Sequence, residues 1–156
     1  MFRDRVRTLE IGGQDKAVLL AGLRERGIRL NRYAEVLFDD PAFATSKTSR
    51  RIHVTEATVA ELGLAGGATS AEIFAEASCV GLVLCPLELA PRLRLQFLDQ
   101  AEGPYLTVAS EKTRDDDAHP NGFYLRRLDG ELWLRGYRAT SDHLWDPSNR
   151  FVFLLE

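Results

Sequence analysis

The feature of this sequence that most constrains its fold is the dipeptide Asp129-Gly130, which separates two runs rich in strand-forming residues. A two-residue Asp-Gly loop favours a type I′ turn, because both of its central positions require a positive φ that these residues tolerate. The turn sets the register of a β-hairpin over residues 122–137. The predicted pairs are Leu128 with Glu131, Arg127 with Leu132, Arg126 with Trp133, Leu125 with Leu134, and Tyr124 with Arg135.

The register divides the side chains of the hairpin between two faces, because successive residues of a strand point to opposite sides. One face is apolar and is predicted to pack against the core: it holds Phe123, Leu125, Leu132 and Leu134. We call the other the arginine–aromatic face: it holds Tyr124, Arg126, Trp133, Arg135 and Tyr137.

Length and charge narrow the class of protein. A chain of 156 residues is predicted to form a single domain, 1–156, that buries roughly 70% of its unfolded surface. The 20 basic and 23 acidic residues give a net charge of −3, which argues against a nucleic-acid partner. The sequence has no run of about 18 apolar residues that could span a membrane and no signal peptide at its amino terminus, so we expect a cytoplasmic protein.

Periodicity predicts an α+β fold with a helical N-terminal half, about 14–82, packed on a mainly antiparallel C-terminal sheet, about 92–156. Four helices are predicted: 15–26, 31–38, one from Thr55 to Gly63, and one from a Thr69/Glu72 capping box to Gly81. The predicted strands are 93–97, 105–110, the two arms of the hairpin, and 151–155.

The predicted strand 93–97 extends the candidate ligand site. Arg94 and Gln96 alternate there with Leu93, Leu95 and Phe97, and Arg92 precedes them. If this strand neighbours the hairpin, a ligand-binding surface results that contains Arg92, Arg94, Gln96, Tyr124, Arg126, Trp133, Arg135 and Tyr137. Arginine forks bind carboxylates and phosphates, and rings stack on planar groups, so an anionic small molecule fits this surface. Alternatively, Glu88, Glu131, Asp142 and Asp146 neutralise the arginines, and the rings merely stack on them in cation–π contacts.

Metal and phosphate motifs are not complete in this chain. The two cysteines, Cys79 and Cys85, lack a second Cys/His pair for a tetrahedral site and are predicted to be buried free thiols. Residues 110–121 contain Asp115, Asp116, Asp117 and His119, but without the glycine turn of a calcium loop they predict a solvated loop. The segment 63–70 lacks the lysine of a phosphate-binding loop. No metal or organic cofactor is therefore expected.

Three sequence blocks resemble a family of small uncharacterised bacterial proteins that automatic annotation has sometimes labelled helicase. The blocks are CPLELAPRLRLQFLDQ (85–100), GFYLRRLDGELWLRGYR (122–138) and DHLWDPSNRFVF (142–153). The resemblance implies no mechanism and no site residues. The helicase label does not suit a chain of this length without a nucleotide-binding loop.

Three functions agree with these patterns. The first is binding or sensing of an anionic small molecule on the arginine–aromatic face. The second is an enzyme in which His143 or Glu88 acts as general acid or base while Arg94, Arg126 or Arg135 stabilises negative charge. The third is a protein-interaction or immunity-type module in which exposed Trp133 and Tyr137 anchor a protein partner.

Overall fold

The structure is a computed structural model that describes residues 2–156, with side chains from residue 4 onward. It contains four α-helices: α1 (Lys16–Glu25), α2 (Arg32–Asp39), α3 (Ser70–Cys79) and α4 (Leu89–Gln96). Its strands are β1 (Arg7–Ile11), β2 (Arg29–Leu30), β3 (Arg50–Thr58), β4 (Leu82–Val83), β5 (Leu106–Val108), β6 (Gly122–Leu128), β7 (Glu131–Tyr137) and β8 (Arg150–Leu155). Short 3-10 turns occur at Phe2–Arg5 and Ala60–Leu62. None of the described helices is long and apolar enough to cross a membrane.

All of these strands join one mixed sheet. Its order is β1-β3-β8-β5-β6-β7-β2, and β4 pairs with the remaining part of β8. The pairings of β5 with β8 and of β2 with β7 are parallel, and the others are antiparallel. The α+β class is therefore confirmed, and the sheet combines both strand orientations.

The predicted hairpin forms with the predicted register. Strands β6 and β7 pair from Leu128 with Glu131 to Gly122 with Tyr137. At the turn, Asp129 has φ 53° and Gly130 has φ 79°, the two positive values that a type I′ turn requires. The division of the hairpin into two faces follows directly from this register.

The helical N-terminal half was a wrong prediction, because the nine-residue strand β3 lies within it. The predicted helix from Thr55 to Gly63 is a strand through Thr58, followed by a single 3-10 turn. Residues 54–57 are buried one after another, because β3 is covered on both faces of the sheet. A strand buried on both faces lacks the polar–apolar alternation that identifies a strand in a sequence.

The predicted strand 93–97 is also wrong, because Leu89–Gln96 forms α4. Pro91 lies in the first turn of this helix, where its missing N–H is not needed. Leu89 and Leu93, four residues apart, are fully buried on one side of the helix. The alternation of Leu93 and Leu95 with arginine therefore imitates a strand by coincidence.

The sheet separates two apolar clusters. Helices α1, α2 and α4 pack on what we call the helix-covered face, where Ile52, Val108 and Phe123 contribute to the larger cluster. On the second face, α3 and Trp145 pack over Ala57, Phe151 and Phe153. The arginine–aromatic face belongs to the second face, because Tyr124 pairs with Thr107, which pairs with Phe151.

Helix α2 approaches β7 very closely at Gly136. The Asn31 side chain caps α2 by accepting from the Ala34 amide at 2.9 Å, and it also accepts from the Gly136 amide at 2.8 Å. Its Nδ2 donates to the Gly136 carbonyl at 2.9 Å. A Cβ at position 136 would lie 2.6 Å from the carbonyl carbon of Tyr33, so glycine is required for this contact.

Candidate functional site

The hairpin brings the five residues of the arginine–aromatic face together on two neighbouring strands. Tyr124 lies opposite Arg135, and Arg126 lies opposite Trp133. All five side chains are half-buried, so they form neither a closed core nor a fully solvated surface. This part of the predicted site is assembled as its sequence pattern indicates.

The other predicted ligand-binding residues lie elsewhere, because they are carried by α4 on the helix-covered face. Arg92 donates to the Gly12 carbonyl at 3.1 Å, and the Gln96 amide donates to the Glu10 carbonyl at 3.3 Å. These two side chains attach α4 to the end of β1. The prediction that Arg92, Arg94 and Gln96 share a surface with the hairpin arginines is therefore wrong.

Arg94 is a structural residue inside the protein. Its side chain is inaccessible to solvent and donates to Gln100 Oε1 at 2.7 Å, to the Trp133 carbonyl at 3.2 Å and to the Phe97 carbonyl. Burial, with a smaller contribution from the charge of Arg127, lowers the pKa of Arg94 to about 10, so it remains charged at neutral pH. Its guanidinium joins α4 to β7 and is not available to a ligand.

The two candidate acid–base residues lie on opposite faces of the sheet. Glu88 is buried at the start of α4, where Oε1 accepts from the Ser46 amide at 3.0 Å. His143 is exposed on the second face, with its ring 5.0 Å from the Trp145 ring. The structure does not bring Glu88 to the arginine–aromatic face, and it does not place the two residues together.

Cation–π contacts organise the arginine–aromatic face. Arg135 donates from Nε to the Tyr124 hydroxyl at 2.7 Å, and its guanidinium lies 4.8 Å from the centroid of the Trp133 ring. Arg126 lies 5.6 Å from the ring of Tyr105, which packs 5.0 Å from the Tyr124 ring. The rings hold the guanidinium groups in place without cancelling their charge.

No carboxylate neutralises these arginines. Arg126, Arg135 and the neighbouring Arg138 form no salt bridge within residues 4–156. The carboxylates proposed for that role are engaged elsewhere: Glu131 with Arg29, Asp142 with Thr140, Asp146 with Ser148, and Glu88 with Ser46. The carboxylate half of the alternative is therefore not found within the described residues, whereas its cation–π contacts are present.

A cleft of about 300 Å³ opens on this face, and we call it the arginine–aromatic cleft. The residues that line it come from the hairpin, the start of β5 and the segment after β7: Tyr105, Thr107, Tyr124, Arg126, Tyr137, Arg138, Ala139, His143 and Trp145. Beside it, Arg126 Nε and Trp133 Nε1 are buried nitrogens without a hydrogen-bond partner. The cleft thus combines uncompensated positive charge, aromatic surface and unsatisfied donors.

Sequence reasoning did not find Tyr105, Arg138 and Trp145. Tyr105 lies two residues before Thr107, so in an extended chain its side chain points to the same, second face. This alternation could identify Tyr105 as a site residue only if β5 were already known to pair with β6. Trp145 is fixed by a hydrogen bond from Nε1 to the Ser70 hydroxyl at 2.9 Å, a contact across 75 residues that no local pattern indicates.

The environments of the two cysteines differ. Cys85 is buried, as predicted, and burial raises the pKa of its thiol well above the ordinary range. Cys79, at the end of α3, is exposed, so the prediction of a buried thiol is wrong there. Within residues 4–156, no group of three or more histidine, cysteine or acidic side chains is arranged to hold a metal ion.

The loop 110–121 is attached to the protein more firmly than predicted. Asp115, Asp116 and Asp117 are exposed, as expected of a solvated loop. His119 Nε2, however, lies 3.0 Å from the buried carboxylate of Asp40, and the Thr113 hydroxyl donates to the same carboxylate at 2.6 Å. The loop is therefore held to the end of α2.

Comparison of this chain with protein-family models, with curated proteins and with solved structures finds no significant match. The resemblance to small bacterial proteins labelled helicase stays a prediction.

Proposed function

We propose that the protein binds a small anionic molecule in the arginine–aromatic cleft. The observation that carries this proposal is the absence of any carboxylate partner for Arg126, Arg135 and Arg138 within the described residues. Arg126 and Arg135 are half-buried, and screening by solvent is weaker there than at an exposed side chain such as Arg138, so their charges favour the arrival of an anion.

The partners of each group suggest how the ligand is oriented. Arg126 and Arg138 line the cleft, so their guanidinium groups can contact a carboxylate or phosphate there. Arg135 lies beside the cleft, where its Nε donates to the Tyr124 hydroxyl. The rings of Tyr105 and Tyr124 offer surface for a flat or apolar part of the ligand. A volume of about 300 Å³ suits a compact metabolite of the size of a substituted benzoate.

The geometry favours this binding role over the two alternatives. Trp133 and Tyr137 are half-buried against their neighbours, so they do not project as anchors for a protein partner. An enzyme would need an acid–base group at the cleft, where His143 supplies only an exposed ring packed edge to face near Trp145. Binding without catalysis requires only the groups that are present.

The test is thermal unfolding with 4-hydroxybenzoate, phosphate and sulfate, each compared with chloride at equal ionic strength. A ligand at 100 times its Kd stabilises the folded state by about 2.7 kcal/mol. We expect at least one of these anions to raise Tm beyond the chloride effect, and the Arg126→Leu variant to lose that increase. Arg24→Leu is the matched control, since Arg24 is exposed on α1 and its replacement by leucine removes the same charge as Arg126→Leu. Equal responses of all three proteins would exclude the cleft as the site.

A further inference from the structure

A second and larger cavity, of about 740 Å³, lies on the same face of the sheet between α3 and the loop 110–121. We call it the α3 cavity. Tyr137 and Ala139 border both the α3 cavity and the arginine–aromatic cleft, so the two sites share a wall. The size lies within the range of small-molecule sites in proteins, roughly 300–1,000 Å³.

The interior of the α3 cavity is apolar. Phe74, Leu84 and the ring of Tyr137 line it. Phe74 packs edge to face on Phe151 and Phe153, with ring centroids 6.3 and 6.4 Å apart, and Tyr137 packs 5.5 Å from Trp145. These rings give the cavity a firm floor that suits a hydrocarbon or aromatic group.

Two hydroxyl groups in the wall have no hydrogen-bond partner. Ser110 is 5% exposed, and its Oγ is a buried atom without a partner. The Tyr137 hydroxyl makes no hydrogen bond with the described residues, and burial raises its pKa well above the ordinary value, so it remains protonated. A Cβ at position 122 would lie 2.8 Å from Ser110 Oγ and 3.7 Å from the Tyr137 ring, so glycine there leaves both residues in place. The unpaired buried hydroxyl of Ser110 is costly, and a ligand that hydrogen-bonds it recovers that cost.

The rim of the α3 cavity carries an excess of negative charge. Glu111, Asp115, Asp116 and Asp117 line it together with one base, Lys112. Lys112 lies 3.7 Å from Asp117, while the other three carboxylates form no salt bridge within residues 4–156. The amino terminus of α3 adds little positive potential, because the Glu72 carboxylate accepts from the Thr69 amide at 3.0 Å in the capping box.

We propose that the α3 cavity binds a small organic cation: an amine whose apolar body lies on Phe74 and Tyr137 while its ammonium faces the acidic rim. The Ser110 and Tyr137 hydroxyls hydrogen-bond the same ligand. A divalent metal does not fit, because within the described residues no three acidic, histidine or cysteine side chains converge on one point. The proposal rests on different residues from the proposed anion site and stands independently of it.

The test uses three probes of one shape and different charge: 2-phenylethylamine, 2-phenylethanol and 3-phenylpropanoate. Isothermal titration of the whole chain is expected to show the amine binding at least tenfold more tightly than the alcohol, and the carboxylate most weakly. Equal affinity for the amine and the alcohol would overturn the proposal. Competition by Ca²⁺ at millimolar concentration would also overturn it, because the rim would then be a metal site.

Variants locate the amine. The double substitution Asp115→Asn with Asp116→Asn removes two exposed carboxylates and should weaken binding on the order of tenfold. Its matched control is Glu35→Gln with Asp99→Asn, which makes the same change of net charge at exposed positions outside the cavity. An equal effect of both pairs would mean that only the overall charge of the protein matters, and the proposal would fail.

Two conservative changes test the interior. Ser110→Ala and Tyr137→Phe each remove one unpartnered hydroxyl and should each weaken amine binding about threefold to tenfold. If either variant unfolds, the rim variants still decide the matter. Arg126→Leu should leave the amine affinity unchanged, whatever it does to anion binding. Loss of amine binding in that variant would place the ligand in the neighbouring cleft and overturn the proposal.

Discussion

Arg94 and Arg135 lie on opposite faces of the same sheet, and they differ in the partners available to each guanidinium. Arg94, on the helix-covered face, is fully buried and donates to two carbonyls and an amide oxygen. Arg135, on the second face, is half-buried; among the described residues it donates only to the Tyr124 hydroxyl, and it otherwise contacts rings. A buried guanidinium that donates mainly to acceptors of the protein maintains the fold, whereas a half-buried one surrounded by rings keeps donors for a ligand.

The largest expected effect is that of Arg94→Leu. Leucine leaves the Trp133 and Phe97 carbonyls and Gln100 without their buried donor, and each such loss costs about 1–3 kcal/mol. We expect the free energy of unfolding to fall by at least about 3 kcal/mol in urea titration. If the free energy of unfolding falls by less than about 1 kcal/mol, Arg94 is not a structural residue, and the contrast with Arg135 on the other face does not hold.

A second change tests how closely α2 approaches the helix-covered face. Gly136→Ala places a methyl group 2.6 Å from the Tyr33 carbonyl carbon and 2.7 Å from the Ala34 amide nitrogen, and neither main-chain atom can move freely. We expect a loss of about 2–3 kcal/mol, in the range of overpacked cores. Gly66→Ala is the control, because a Cβ there meets nothing within 4 Å and the backbone is not in the left-handed region. Similar stability of both variants would show that α2 can shift.

Asp40 links the two faces of the sheet. It directly follows the last residue of α2, and its carboxylate holds the loop 110–121, which lines the α3 cavity. Burial alone would raise the pKa of Asp40, but hydrogen bonds from Thr113, the Ala42 amide and Arg114, with the Arg114 charge, hold it well below the ordinary range. A depressed folded pKa stabilises the protein above the unfolded pKa of about 4, and that stability is lost as the pH falls below it.

We therefore expect the wild-type protein to lose stability in acid between about pH 4 and pH 2 more steeply than Asp40→Asn, which is less stable at pH 7 by about 1–3 kcal/mol. Urea unfolding at several pH values measures both. Parallel pH profiles for the two proteins would show that Asp40 does not contribute to acid sensitivity.

A smaller effect on stability is expected at the hairpin turn, which fixes the register of β6 with β7 and so determines which residues lie on each face. Gly130 has φ 79°, and a Cβ there would meet nothing within 4 Å, so Gly130→Val costs only backbone strain of about 1–3 kcal/mol. The melting temperature should fall by several degrees. An unchanged melting curve would mean that the turn relaxes without loss of register.

The smallest effect on stability is expected for Arg135→Leu, which removes one hydrogen bond and cation–π contacts on a half-buried surface. The unfolding free energy should change by less than about 1 kcal/mol, because leucine covers much of the surface that the arginine stem covers. The anion-dependent rise of Tm should nevertheless become smaller, because Arg135 holds Tyr124, which lines the arginine–aromatic cleft. Unfolding of this variant would instead make Arg135 a second scaffold arginine.

Features that depend on residues close in the chain could be predicted from the sequence, and features that depend on distant residues could not. The Asp129-Gly130 turn, the register of β6 with β7, and the Thr69 capping box depend on neighbours in the chain and were confirmed. The end of β3, Thr55 to Thr58, was predicted as the start of a helix because partners on both faces bury this part of the strand. The structural role of Arg94 depends on its hydrogen bond to the carbonyl of Trp133, a residue 39 positions away. The local alternation of leucine and arginine could therefore not predict that role.

The position of β8 in the sheet has a consequence for synthesis on the ribosome. β8 (Arg150–Leu155) comes after all the other described strands along the chain, yet it lies between β3 and β5 near the middle of the sheet. Until it emerges, β3 presents one unpaired edge and β5 another, and unpaired edges of nascent chains favour aggregation. The two halves of this sheet therefore cannot join before β8 has been synthesised, and shielding of the β3 and β5 edges until then should raise the yield of folded protein.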